Sequence, residues 1–561
     1  MAATLTRTTL RNNSVDLTAV GMNINQQDRG DWLQNFYFQN GSLIVREGFG
    51  QVARFSSGLT TNSNVLESTT NNESGFRQVL GTKYINTDFG HEQIITIIRT
   101  KGWSADKAVT TLASTKSLYS VVIYDITTRA KKEIVLYEHN SQVQSDQIPI
   151  FRQQGHYETN SSRDHQEWQE GSNNPVFFTE YQDRVFFGGP KMGVWFYTPC
   201  IFTDEKNVPP TVTRTWNENE HETTYRSEDH IIVPVGFTEN KAFTGDEVNE
   251  DGSLSKVYTY FTPSQVTEVT DATTFQGRVV YAGGRSVLFS DIGKPNSVAS
   301  ANFINIDSEE EITAIQGLRD SLLIFTANET FLYLPNNDPF IITAGRIYEL
   351  SKNVGCINAQ AKTRMGDGCV WVDANGFWLN KGNTVINKLS EPIDPFFNTF
   401  VSRPLTNWYK NDGGNGGTDG QKLNIDTSGQ NIHVVYEPEE QRLFFVFPDE
   451  NFAWVRDAGG FKLWTWKTIA NNSAGTDITE TENIVLPRLT VNGKGGIFLV
   501  GGIEEEVIST PDGRGGINFN NFGTFYILEW KRGGGLDRTN VPQEDNVDFR
   551  GEYQSQRIAT P

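Results

Sequence analysis

The chain has 561 residues, a formal net charge of −20 and 37% hydrophobic residues, with 12% aromatics, 51 Gly and 20 Pro. That length suits several domains or one large repeat architecture, and the pairing of aromatics with turn formers favours many short strands over helices. The acidic balance argues against a general nucleic-acid clamp, because such a surface repels phosphate at long range; solubility alone accounts for most of it.

In chain order, the opening "MAATLTRTTLRNNSVDL" has no apolar core and does not read as a secretory signal. The apolar runs "IITII" and "LFFVF" are far too short for a membrane-spanning helix. From Asp31 to Val52, "DWLQNFYFQNGSLIVREGFGQV" reads as an aromatic-rich strand and an Asn-Gly turn. A meander of "IITIIRT", "LYSVVIYD" and "KEIVLYEH" follows between Ile94 and His139.

The next segments repeat one device. "RVFFGGPKMGVWFYTP" (Arg184 to Pro199) and "RVVYAGGRSVLFSDIGKP" (Arg278 to Pro295) each pair two apolar strands across a glycine turn, with an aromatic and a Gln just ahead: Tyr181-Gln182 and Phe275-Gln276. "SLLIFTANETFLYLP", "CVWVDANGFWLNKG", "RLFFVFPDENFAWVRD" and "GGIFLVGG" continue the series as far as Gly502. Anchored on Gln276, Gln316, Gly366, Gln441 and Gly495, the steps are 40, 50, 75 and 54 residues, and the step from Gln182 to Gln276 is 94. Propeller blades take about 40–50 residues, so the shorter steps fit one blade and the longer ones a blade with an insertion. A sandwich would show turns every 8–12 residues or so without this recurrence.

The expected fold is therefore all-β: a β-propeller of about five to seven blades, with inserted β excursions and N- and C-terminal extensions. The expected divisions are an N-terminal β segment and arm at 1–75, the propeller at 76–505, and a C-terminal strand and tail at 506–561. Two insertions stand out. Residues 203–262 hold twelve Asp or Glu against five Lys or Arg, yet contain "HIIVPVGF" and "VYTYFTP", so a small β excursion is expected. Residues 411–429, "NDGGNGGTDGQKLNIDTSG", have the composition of a flexible surface loop. Helical signal is confined to "EPIDPFFNTFV", where Asp394 and Pro395 read as a cap and a first-turn proline.

The sequence carries few signatures of chemistry. The nearest approach to a sialidase Asp box is Ser290-Asp291-Ile292-Gly293, where serine abuts aspartate and no tryptophan follows. "EVNEDGSLSKVYT" places Glu247, Asn249, Asp251 and Gly252 at calcium-loop positions but has Tyr258 where the bidentate Glu belongs. "GGNGGTDG" occurs once, whereas calcium-binding glycine repeats work in stacks. His156, His165, His221 and His230 lack metal-like spacing, and no Walker loop, G-x-S-x-G or C-x-x-C appears. Cys200, Cys356 and Cys369 read as buried free thiols. Arg184 and Arg278, at matching positions, read as inter-blade hydrogen-bonding groups or strand-edge charges rather than DNA contacts. Trp371, Phe377 and Trp378 alternate along a strand, which puts at least two of them in the core rather than in a sugar-binding patch. No catalytic residue, cofactor site or metal site is expected, and the chain does not read as an enzyme.

The run from "RSVLFSDIGKPNSVASANFINIDSEEEITAIQGLRDSLLIF" through "VGCINAQAKTRMGDGCVWVDANGFWLNKG" resembles the propeller of tail nozzle proteins of short-tailed bacteriophages, also called tail tubular protein B or tail hub proteins. The carrying elements are Phe289 to Pro295, Ile312 to Phe325, and Gly355-Cys356 leading into "VWVDANGFW"; the opening at Asp31 to Val52 is similar as well. The likeness covers residues 30–52 and 275–400, and the acidic 203–262 region has no counterpart in it. It implies a structural virion protein without catalytic residues, assembled in the host cytoplasm. Six copies would form the tail ring below portal and adaptor, with fibres or spikes outside and phage DNA passing through the lumen without sequence-specific binding. In that setting the insertions supply candidate channel, gate or tip residues: Glu218, Glu220, Glu222, Asp246, Glu247, Glu250 and Asp251 in the first, Asp412 and Asp419 in the second. Two other readings compete: a secreted or surface carbohydrate-active propeller, disfavoured by the missing signal and broken Asp box, and a receptor-binding propeller using loops such as 411–429.

Overall fold

The computed structural model describes residues 30–34, 36–39, 42–45, 49–55, 77–88, 90–103, 116–135, 176–182, 184–190, 193–199, 232–234, 241–248, 254–260, 269–295, 298, 302–338, 342–397, 432–448, 452–465, 467–468, 482–503, 525–530 and 552–555. They form a seven-bladed β-propeller. Each blade is an antiparallel sheet, and in blades I to VI the four blade strands run in chain order from the axis to the rim.

Blade I comprises Arg77–Asn86, Glu92–Trp103, Lys116–Asp125 and Lys131–Val135. Blade II comprises Phe177–Tyr181, Arg184–Gly189, Gly193–Tyr197 and Ile232–Pro234. Blades III and IV follow with Asp271–Phe275, Arg278–Gly283, Ser286–Phe289 and Phe303–Asn305, then Ala314–Gly317, Leu322–Phe325, Thr330–Leu334 and Arg346–Ser351. Blade V is Lys362–Met365, Gly368–Asp373, Gly376–Asn380 and Ile386–Lys388, with a short 3-10 turn and helix (Glu391–Ile393, Asp394–Phe397) behind it, where the Asp394-Pro395 signal lies. Blade VI is His433–Glu437, Arg442–Phe447, Phe452–Asp457 and Gly460–Thr465.

Blade VII closes the ring with strands from both sides of 76–505. Glu482–Val491 and Ile497–Ile503 are followed by Phe525–Trp530, and the N-terminal strand Phe49–Phe55 forms its outer edge, pairing antiparallel from Phe525↔Phe55 to Trp530↔Phe49. The chain end thereby locks the circle, since its two halves cannot separate without breaking that ladder. Beyond blade VI, Gly30–Gln34 adds in parallel at Gln34↔Leu463 and pairs with Glu552–Ser555, while Phe36–Gln39 and Ser42–Val45 form a hairpin.

The repeated sequence device is the pair of middle strands. Those strands are covered on both faces by neighbouring blades, so every residue of Arg278–Gly283, Gly368–Asp373 and Arg442–Phe447 is buried. Apolar seams run around the circle. Ile97 and Val121 meet Val185 and Phe187; Phe186 and Phe196 meet Val279 and Tyr281; Phe289 meets Ile324 and Tyr333. Phe325, Trp371, Phe377 and Phe445 join blades IV, V and VI, with Phe377 and Phe445 stacked 3.7 Å apart. Phe444 and Trp464 meet Leu499 and Leu528, and Phe498 and Ile527 meet Ile94 and Tyr124, completing the ring. Burying a large apolar side chain contributes about 1.5–3 kcal/mol, so these seams dominate the stability.

The turn between the first and second strands accounts for most of the sequence anchors. Gln182, Gln276 and Gln441 have positive φ (55°, 48° and 54°), and Gly366 and Gly495 occupy the same turn at 61° and 81°. At Gln276-Gly277 both residues are left-handed, the primed turn that matches strand twist. Gln316 departs from the pattern: it lies within Ala314–Gly317, and the blade IV turn falls after it, at Leu318 to Ser321.

Candidate functional site: a propeller axis closed by its own chain

Antiparallel blades send their connections alternately to two faces. The link to each next blade and the turn between second and third strands share one face, here the link face; the other two turns share the opposite face. The link from blade IV to blade V, residues 352–361, does not skirt the rim but crosses the axis.

Its anchors begin in blade IV. The Cys356 N–H donates to the Thr326 carbonyl (2.9 Å), the Thr313 hydroxyl to the Cys356 carbonyl (2.6 Å) and the Thr330 hydroxyl to the Val354 carbonyl (2.6 Å). Asn358 folds the segment back: its Oδ1 accepts from the N–H groups of Gln360 (2.8 Å) and Ala361 (2.9 Å), and its Nδ2 donates to the Ile432 carbonyl (3.3 Å) at blade VI. Gln360 then spans the axis. Its Nε2 donates to the carbonyls of Leu80 (2.9 Å, blade I) and Val176 (2.7 Å, blade II), while its own carbonyl accepts from the Val434 N–H (2.9 Å, blade VI). A residue in the link ahead of blade V whose side chain reaches blades I and II and whose carbonyl reaches blade VI lies at the axis.

Charged groups stand in the same layer. Lys362 Nζ reaches Asp271 Oδ2 at 2.9 Å, so blades V and III are joined past blade IV, whose Ile315 N–H also donates to that oxygen (2.7 Å). Burial pushes the Asp271 carboxyl up, against the pull of the Lys362 ammonium. In blade VII, Arg488 is buried with Nε 3.5 Å from the Val79 carbonyl and Nη1 3.5 Å from His433 Nδ1. The Leu489 N–H donates to His433 Nε2 (2.8 Å). Burial and the adjacent Arg488 hold this imidazole well below its usual range, so it is neutral. Toward the opposite face the inner strands are wetter: Lys83 and Glu180 pair at 3.0 Å with half-exposed side chains, and Arg364 is exposed.

The residues singled out in the sequence divide. Arg278 is buried and donates to the Ser290 carbonyl (2.6 Å), Arg184 lies 5.2 Å from the Phe196 ring, and buried Arg442 packs over Trp530 of the next blade (5.0 Å). These arginines are packing elements within and between blades. The "FSDIGKP" segment is a buckle on blade III. The Ser290 hydroxyl accepts from the Val279 N–H (3.0 Å), Asp291 and Lys294 form a bridge, and the Tyr281 hydroxyl donates to the Pro295 carbonyl (2.7 Å). Trp371 and Phe377 are core residues, and Trp378 is half-buried beneath Lys388. Cys356 and Cys369 are free buried thiols, the latter pushed up to about 12 chiefly by burial; Cys200 lies outside the described residues.

Two of the nine acidic candidates fall within the described residues. Glu218, Glu220, Glu222, Glu250, Asp251, Asp412 and Asp419 lie outside the described residues. Asp246 and Glu247 lie in the strand Lys241–Val248, paired in register with Lys256 and Ser255 of Leu254–Tyr260. That hairpin belongs to the link between blades II and III, whereas Ile232–Pro234, also within 203–262, is the fourth strand of blade II. Among the described residues, no group of three His, Cys, Asp or Glu side chains is placed to hold a metal ion.

The sequence reading missed Asn358, Gln360, Asp271, Lys362, His433 and Arg488. The available signal was two amides inside an otherwise small and apolar run, "VGCINAQA".

No family model and no curated protein matches the chain. Solved structures similar to it are propellers: U3-55K (8% identity, 83% of this chain and 97% of that one, TM-score 0.35); the Pan2 WD40 domain of Neurospora crassa (8%, 87% and 97%, 0.33); and the β-propeller domain of the trilobed protease of Pyrococcus furiosus, described as having an open velcro topology (6%, 76% and 89%, 0.31).

Proposed function

We propose that this chain is a structural ring subunit of the tail nozzle of a short-tailed bacteriophage, a non-enzymatic part of a genome conduit and a platform for tail fibres. The reading rests on the sequence resemblance. The observation that supports it best is the bridged axis: Gln360 and Asn358 tie the link to blades I, II and VI at the centre of the propeller, and Lys362 and Asp271 in that layer are bonded to each other across blades. Propellers that bind small molecules commonly do so at the open axis. This one spends its axial polar groups on rigidity, which suits a block whose outer surfaces do the assembling. A conduit built from it runs between copies, not through any single propeller, and the heterologous contact needed closes by rotation alone.

The test is assembly. Purified protein mixed with a portal–adaptor complex is expected to add a ring visible by negative-stain electron microscopy, and the chain is expected in virions by mass spectrometry. A chain that never joins tail particles and is absent from virions would overturn the reading.

A further inference from the structure

We propose that Asn375 is a site of spontaneous covalent modification, where the fold directs succinimide formation and deamidation with Asp373 as the base. This inference stands on the geometry of one turn and does not depend on the proposed function.

An asparagine followed by glycine carries its own nucleophile: the glycine nitrogen attacks the side-chain Cγ, and the missing Cβ leaves that nitrogen open. Two such pairs lie among the described residues, Asn375-Gly376 and Asn492-Gly493, and the fold treats them oppositely. The Asn492 side chain is tied down. Its Oδ1 accepts from the N–H groups of Gly496 (2.6 Å) and Lys494 (3.1 Å), and it packs so closely over Gly496 that a Cβ there would collide with it. Asn375 sits in the turn between the second and third strands of blade V and is exposed. Among the described residues its carboxamide makes no hydrogen bond; its backbone N–H makes the one recorded at this residue.

That bond leads to the base. Asp373, 2% exposed, accepts from the Asn375 N–H at 2.7 Å, and the Gly376 N–H faces the same carboxyl. The carboxylate therefore stands beside the proton that must leave. Burial pushes it up to about 6, so it is ionised at neutral pH yet a better proton acceptor than an exposed carboxylate. As the Gly376 nitrogen bonds to Asn375 Cγ, its proton passes to Asp373. The carboxyl returns that proton to Nδ2, the Cγ–Nδ2 bond breaks and ammonia leaves. Water then opens the cyclic imide at either carbonyl and restores the Gly376 N–H, leaving aspartate or isoaspartate at position 375. One water is consumed and one ammonia released. The isoaspartyl product adds a methylene to the backbone beside Gly376, where even a Cβ would collide with the Ser390 hydroxyl.

Peptide mapping by mass spectrometry of the full chain, aged at neutral pH, reads conversion at both sites. In the folded protein Asn375 is expected to convert at least about 10-fold faster than Asn492, and in urea the two rates are expected to be similar. Asp373→Asn keeps an oxygen for its donors and removes the base, so the rate at Asn375 is expected to fall at least about 10-fold at pH 7. The wild-type rate is expected to level off above about pH 6, where Asp373 is ionised, whereas in the variant it climbs about tenfold per pH unit with hydroxide. Equal conversion of the two sites in the folded chain, an unchanged rate in Asp373→Asn, or a wild-type profile without a plateau would overturn the proposal. Should the variant fail to fold, the site ratio and the pH profile of the wild type decide.

Discussion

Gln360 hydrogen-bonds to the backbone of Leu80 from a position 280 residues later in the chain, its Nε2 at 2.9 Å from that carbonyl. The same nitrogen serves Val176 at 2.7 Å, so one amide ties the link between blades IV and V to blades I and II across the axis. A propeller whose axis is open depends on side-to-side packing and on the closing strand. Here a third constraint acts along the diameter, and it resists the shear that would let blades slide past one another.

Replacing Gln360 with Leu keeps the volume and removes both bonds. Two carbonyls at the closed end of the axis then lack their donor. At roughly 1 kcal/mol or more for each unsatisfied group, a loss of about 2–4 kcal/mol is expected. Urea unfolding followed by tryptophan fluorescence measures it. A change under about 0.5 kcal/mol, the scale of ordinary surface substitutions, would mean that water takes over both carbonyls and that the axis is held by packing alone.

The Lys362–Asp271 pair gives a second prediction. Both side chains are nearly or wholly removed from water, so losing one partner strands a charge. Lys362→Met is expected to cost about 3–5 kcal/mol, and pairing it with Asp271→Asn to recover most of that. A double-mutant cycle in urea gives the coupling; strictly additive losses would mean that the pair contributes no interaction of its own.

How much of this was legible follows from where each strand lies. The middle strands are sandwiched between blades, so "RVVYAG" or "GCVWVD" is apolar throughout and announces itself. The outer strand Arg346–Ser351 and the inner strand Lys362–Met365 are partly wet, carry mixed residues, and left no clear pattern. The turn anchors were readable because a left-handed Gln or Gly recurs there; Gln316 misled because the blade IV turn, "LRDS", has no such residue. Steps of 75 and 94 residues each turned out to be one blade, lengthened by its connections. The ring closure by Phe49–Phe55 and the axial bonds of Gln360 are contacts between remote segments, and no local pattern encodes them. Fold class was written in the sequence; the site that makes this propeller distinctive was written only in its three-dimensional arrangement.

Gly355 tests the path of the axial link. A Cβ built there would lie 2.2 Å from the Ala327 carbonyl oxygen and 2.4 Å from that of Thr326, both fixed backbone atoms. The neighbours cannot rotate away, so the link must shift and with it the Cys356–Thr326 bond. Gly355→Ala is expected to lose about 3 kcal/mol or more, on the scale of overpacking in a closed core. Gly493→Ala, where a Cβ meets nothing within 4 Å, serves as the control and is expected to be near neutral in the same thermal melts.

The last prediction concerns Asp373 at the end of the second strand of blade V. Its carboxylate accepts from the Trp378 indole N–H (2.7 Å) and the Asn375 N–H (2.7 Å), yet burial dominates and pushes it up to about 6 from an ordinary 3.8. A carboxyl with a raised folded value binds its proton more tightly in the native state. Stability from this group is therefore fully present below about pH 4 and is lost as pH rises through about 6, a total of roughly 3 kcal/mol at 1.36 kcal/mol per unit. Asp373→Asn keeps an oxygen for both donors and cannot ionise. Between pH 4 and pH 7 the stability of the variant relative to wild type is expected to move in its favour by about 2–3 kcal/mol, whatever the offset at pH 4. Urea midpoints for both proteins at half-unit intervals would trace the change. A difference that stays flat across that range would show that Asp373 ionises freely in the folded chain, and that its two donors, with Lys388 nearby, fully offset its burial.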